Sequence, residues 1–221
     1  GTQSKAFAAE LRTAARALLG AEPDRARVAA AGRAAAQAQA RYDAALLEIG
    51  RRTLDYGRAA GLPVVPVCGP LHVIHDPVIN AGIPRLLREN GVLPLPMDCF
   101  PIPPATHPVT RVPWSDARRA LRAGLAARER GDVYPLLLSS FGCNPASFGE
   151  QFFTALLEGH PHTTLESDGH GGTAGYTTRV QAFLHTVKRH DGQPTFAPAS
   201  RLRMLEPLPN LPVTPDDERQ F

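Results

Sequence analysis

Cysteine is scarce in this chain. There are three, Cys68, Cys99 and Cys143, far apart and with no CxxC pair. An odd, scattered set of thiols excludes the disulfide framework of a small secreted domain, and three reduced cysteines are the working expectation. Blocks of like charge are also missing. The 24 basic and 21 acidic residues are spread along the chain, with Arg far ahead of Lys, so no basic patch marks a nucleic-acid partner. No uninterrupted apolar run approaches the roughly 18 to 20 residues of a membrane span, and the first twenty residues are charged and helical rather than signal-like. The expectation is a soluble, cytoplasmic protein. A GxGxxG after the first strand and a Walker A motif are both absent, which removes the two familiar routes to nucleotide binding. The leading Gly-Thr and the polar end PVTPDDERQF suggest a piece of a longer polypeptide.

What is present falls into three parts. Residues 1–60 are rich in Ala, Arg and Leu, with apolar positions at helical spacings broken only at Pro23, and they predict a short helix and a long one. From residue 61 to about 190 short apolar runs alternate with amphipathic segments, the pattern of a parallel sheet built from βαβ units. The strands are PVVPVC at 63–68, VLPLPMD at 92–98, VYPLLLS at 133–139 and HTTLES at 162–167. Helices are expected from about Asp76 to Gly91 with a kink or restart at Pro84, from Ser115 to about Arg130, over 146–158, and over the segment that begins at Thr173. Residues 191–221, with six prolines, read as a tail or linker. The fold class is therefore α/β, an open doubly wound sheet of about four parallel strands, flavodoxin-like in order 2-1-3-4, behind an N-terminal helical segment.

Each cysteine falls at the carboxyl end of a different strand, the edge where such sheets bind ligands. One reading makes them small buried apolar residues. The other gathers them around a soft metal centre, an iron–sulfur cluster or zinc, with one ligand supplied from elsewhere. Cys68, His72 and His75 also form a local C-x3-H-x2-H triplet that would suit zinc. At the far end of the edge, Asp168 and His170 stand in the Gly-rich turn DGHGG before a helix, placed for an acid/base pair or an anion. A nucleophilic Cys143 with His170 as base is a third reading, which the spacing does not require. His107, His160, His162, His185 and His190 are read as surface residues.

Three separated stretches, CGPLHVIHDPVINAGIPRLL, SSFGCNPASFGEQF and LESDGHGGTAGYTTRVQAF, together resemble the 2-hydroxyacyl-CoA dehydratase family. More closely, they resemble the dehydratase-like region of CoA-substrate-specific enzyme activases and activase-related proteins. Asp76, Pro77, Ile79, Asn80, Gly82, Ile83 and Pro84 match one family element. Ser140, Phe141, Gly142, Cys143, Pro145 and Ser147 match the next, and Asp168, His170, Arg179, Ala182 and Phe183 the last. The resemblance covers about residues 25–190. It implies a flavodoxin-like half of a dehydratase-type fold holding a [4Fe–4S] cluster through cysteine. It also implies a partnership with an ATP-hydrolysing activase domain or subunit that injects an electron, and an acyl-CoA substrate. In this frame Cys68, Cys99 and Cys143 are the cofactor and metal ligands, Asp168 and His170 the catalytic pair, and His72, Asn80, Asn144 and Ser147 the substrate contacts. A homodimer is the other assembly to test. The departures are Cys68-Gly69 where the family has Gly-Arg, and Gly169, Gly171 and Gly172 where it has Glu and two serines. A metal-free or zinc-binding scaffold that binds a partner or CoA ester without catalysis remains the competing expectation.

Overall fold

The structure, a computed structural model, describes residues 5–21, 23–140, 144–167 and 172–206. It divides into two compact units, residues 1–48 and 49–221. The first holds helix α1 (Lys5–Leu19) and the opening half of helix α2 (Arg25–Ala60). Asp24 starts α2 by accepting the amide of Ala26 on its carboxylate at 2.8 Å, an N-terminal cap of the usual chemistry. Leu11 of α1 packs at Gly32 of α2.

The second unit contains a four-stranded, wholly parallel sheet in the order β2-β1-β3-β4, as the βαβ pattern predicts. Its strands are β1 (Val64–Cys68), β2 (Leu93–Pro96), β3 (Leu136–Ser139) and β4 (Thr163–Glu166). β1 and β3 are buried at every position, which is why they read as unbroken apolar runs, whereas the edge strands β2 and β4 are only partly covered. Pro94 and Pro96 sit on the edge strand, where a missing N–H is tolerated. Pro66 is in a central strand and has a visible effect. The β1–β3 ladder is split into an isolated Val64–Val133 bridge and a second stretch that begins at Val67–Leu136.

Helices α4 (Ile83–Glu89), α5 (Ser115–Arg130) and α6 (Asn144–Leu157) link successive strands, α7 (Thr173–Arg189) follows β4, and together they cover the sheet. α5 and α6 pack on one another where Gly124 receives Phe153 and Leu157. The helix expected from Asp76 does not begin there. Asp76 accepts the amides of Val78 and Ile79, but Ala81 and Gly82 both take positive φ, and the helix starts only at Ile83, with Pro84 in its first turn. A five-residue helix, α3 (Leu71–His75), precedes this turn and was not expected. The last half of α2 closes on the sheet through Gly50, Leu54 and Gly57, all buried. Beyond α7 the chain lies against α5, where the Thr195 amide donates to the Arg128 carbonyl at 3.1 Å. It then forms α8 (Ala199–Leu202) and a single 3₁₀ turn that buries Leu205.

Candidate functional site

The sheet order places its topological switch between β1 and β3, where the chain leaves to opposite sides and a crevice opens at the carboxyl ends. A cavity of about 230 Å³ occupies that position. Its walls come from Leu137 on β3, Ala117, Ala120 and Leu121 on α5, and Ala146, Gly149 and Phe153 on α6, with Gly69, Pro70 and His72 closing the β1 side. The hollow exists because the residues that face each other across α5 and α6 are small, and Phe153 forms its back wall. Trp114 stands at the rim, edge-on to Phe148 with ring centroids 5.5 Å apart.

Gly69 makes the β1 side possible. Its φ of +145° is a conformation that side chains rarely adopt, and a Cβ there would overlap the carbonyl of Leu138 on β3. The next residues turn at once into α3. The Leu71 amide donates to the Asp116 carboxylate on α5 at 3.2 Å, so Asp116 ties α3 to the start of α5 instead of capping its own helix. Among the described lining residues, the titratable ones are His72, which is exposed, and Asp116.

The other end of α3 makes a contact that sequence reasoning missed. His75 Nε2 lies 3.0 Å from Asp98 Oδ2, and Asp98, two residues past β2, is buried. Asp98 stood out in the sequence only as a strand end. The 23-residue separation from His75 carries no periodic signal, and only the adjacency of β1 and β2 brings the two together.

Neither of the described cysteines, Cys68 and Cys99, lines this cavity. Cys68 ends β1 fully buried, its thiol toward the Pro66 carbonyl at 3.8 Å, and burial pushes its pKa up to about 12. Cys99 lies in the turn after β2, also buried, with its carbonyl against Gly50 of α2. Its thiol is raised by burial and by the neighbouring Asp98 charge, with Arg119 opposing. A metal ligand must be a thiolate, and both environments favour the thiol. The zinc triplet does not assemble. Cys68 is buried, His72 borders the cavity, His75 is bound to Asp98, and no group of three His, Cys, Asp or Glu among the described residues is placed to hold a metal.

Cys143, Asp168 and His170 lie outside the described residues. Asn80 is buried, and its amide serves its own loop, donating to the Ile74 carbonyl at 3.2 Å and accepting the Gly82 amide at 2.9 Å. Asn144 opens α6. Ser147 is exposed and borders an open groove with Glu150 and Glu166 rather than the switch-point cavity. Of the histidines read as surface residues, His160 is not one. It is 3% exposed, stacked on Tyr134, and bonded through Nε2 to the Val133 carbonyl at 2.9 Å.

These positions can be set beside known proteins. Residues 2–100 match the family described as CoA enzyme activase uncharacterised domain (DUF2229). The resemblance to activase-related proteins therefore holds over a stretch that includes β1, α3, α4, β2 and the His75–Asp98 pair. No curated protein and no solved structure matches the chain. No helix among the described residues is long and apolar enough to cross a membrane.

Proposed function

We propose that this chain is a dehydratase-like module of an activase-related protein, and that it binds an acyl-CoA-type thioester with the acyl group in the switch-point cavity. The observation that carries this reading is the cavity itself. It is apolar along α5, α6 and β3, it stands at the position where doubly wound sheets take their ligands, and α6, which opens directly after the SFGC motif, forms one wall. His72 at the mouth has the chemistry to hydrogen-bond a thioester carbonyl or a 2-hydroxyl group. An ATP-hydrolysing activase is the partner that the family match suggests. Electron transfer or radical dehydration belongs to the same proposal, with no step assigned to a cluster.

Trp114 is the chain's one tryptophan and stands at the cavity rim, so its fluorescence reports occupancy directly. Titration with short 2-hydroxyacyl-CoA and acyl-CoA esters should change that emission saturably. Gly149→Leu fills the cavity from α6, where a Cβ meets only ordinary contact with Ala117 at 3.5 Å, and should abolish the change while the fold is kept. Free CoA binding as well as its esters, or a Gly149→Leu variant that still responds, would place the acyl group elsewhere.

A further inference from the structure

We propose that the switch-point cavity takes neutral acyl groups of about the size of a six-membered ring and rejects those that end in a carboxylate, and that Asp116 is the residue that sets this specificity. The acyl-CoA frame rests on the reading above; the charge selection at the cavity does not.

The interior offers an anion no partner. Its walls are alanine, leucine and phenylalanine side chains from α5, α6 and β3, and no Lys or Arg is among the described lining residues. The two arginines that follow Asp116 on α5 are committed to main-chain carbonyls. Arg118 donates to Val112 at 2.9 and 2.7 Å, and Arg119 donates to Met97 at 3.2 Å and to Asp98 at 2.8 Å. The sequence adds no Lys or Arg at 141–145 or 168–171.

Asp116 turns this indifference into rejection. The first turn of a helix ordinarily favours negative charge, but in α5 that place already holds the Asp116 carboxylate. Its Oδ2 accepts the Leu71 amide at 3.2 Å, which holds the side chain at the cavity it lines. A ligand carboxylate would lose water against apolar walls and meet a like charge where little solvent screens the two. A neutral group meets neither cost. Size follows from volume. A dry cavity of about 150 Å³ accepts benzene, so about 230 Å³ holds a six-membered ring and a few carbons more.

Two ligand pairs of equal shape and different charge test this on the intact chain at about pH 8, where an ordinary imidazole is neutral. Benzamide and benzoate probe the cavity without CoA. The esters 5-methylhexanoyl-CoA and glutaryl-CoA, which differ by an isopropyl group against a carboxylate, probe it within the thioester. Trp114 emission should saturate with the neutral member of each pair at a concentration at least tenfold below that of the anion. Asp116→Asn keeps an oxygen for the Leu71 amide and removes the charge, so the ratio should shrink several-fold while the urea midpoint holds. If that variant unfolds, Ala117→Lys, which sets a cation beside Asp116 in the lining, should shrink it instead. Equal responses to benzamide and benzoate, no response to benzamide, or a ratio unmoved by the folded variant would each overturn the selection. Discrimination between benzamide and benzoate in a chain that binds neither ester would leave the selection standing and refute the acyl-CoA reading alone. Esters that bind without discrimination would do the reverse.

Discussion

Gly50 is the position where the smallest change has the largest calculable effect. On α2 it lies against the turn that follows β2, and a Cβ added there would overlap the Cys99 carbonyl oxygen outright and stand 2.8 Å from the carbonyl carbon. Neither group can swing aside, since both are backbone. Restoring an ordinary carbon–carbon separation of about 3.5 Å needs a retreat of roughly 0.7 Å from the carbon alone, and a gap of that size forfeits a quarter to a half of the dispersion energy along the seam. The seam includes Leu54, 6% exposed, and Gly57, where a Cβ would already be 2.5 Å from Val64. Overpacking of this kind costs about 1 to 3 kcal/mol, and a backbone obstacle places it near the top of that range. Helix propensity works the other way, since Ala in place of Gly gains about 1 kcal/mol.

The net expectation for Gly50→Ala is a loss of about 2 kcal/mol, seen as a drop of about 1 M in the urea midpoint or roughly 4 to 8 °C in Tm. Gly175→Ala on α7 is the matched control. Nothing lies within 4 Å of the new methyl, so this variant should gain up to about 1 kcal/mol. Two identical chemical changes in helices thus carry opposite signs. If Gly50→Ala proved as stable as the parent, the close seating of α2 on the β2 turn would be wrong.

Other expectations follow from burial and charge. Burial lowers the His160 pKa from 6.5 to about 4, so the unfolded chain binds the extra proton between those values. Stability from this group is full above about pH 6.5 and falls by roughly 2 to 3 kcal/mol as pH drops toward 4. Urea midpoints at pH 7 and 4.5 should therefore differ less in His160→Gln, and an unchanged difference would rule His160 out. Cys68 and Cys99 should resist iodoacetamide in the folded protein and react on unfolding, as peptide mapping can show; rapid native labelling of Cys68 would mean that β1 opens. If protein purified without oxygen carries iron and sulfide, Cys143→Ser should remove them while a folded Cys68→Ser keeps them, and the opposite pattern would show that the thiol buried here is a ligand. His75→Ala strands the buried Asp98 and should cost about 1.5 to 3 kcal/mol by denaturant midpoint, with no loss expected if the contact is incidental.

The sheet was legible because its strands are short apolar runs bounded by Gly and Pro, and because the crossover rule leaves few orders for four parallel strands. The helices around it were legible by period, except where local chemistry overrode it. Asp76-Pro77 has the look of a helix start, yet Ala81 and Gly82 at positive φ hold a turn until Ile83. α3 was invisible because five residues carry no period. The site was less legible, for a physical reason. Strand ends can be counted from sequence, which put Cys68 and Cys99 at the right edge, but the direction of a side chain at a strand end is set by packing. Cys68 turned into the core, and His75 found a carboxylate that no spacing announces. His160 looked like a polar residue between a helix and a strand. Its burial depends on Tyr134, 26 residues earlier, and on His190, 30 residues later.

α3 is held at one end by Asp116 through the Leu71 amide and at the other by Asp98 through His75. Two acidic side chains from different elements therefore fasten a helix too short to be stable alone. A ligand entering beside His72 meets a wall that is already set, so little of its interaction energy is diverted into ordering the protein. The same fastening gives the entrance an ionic character. Removing both carboxylates would release the helix, and the mouth of the cavity would loosen before the sheet beneath it did.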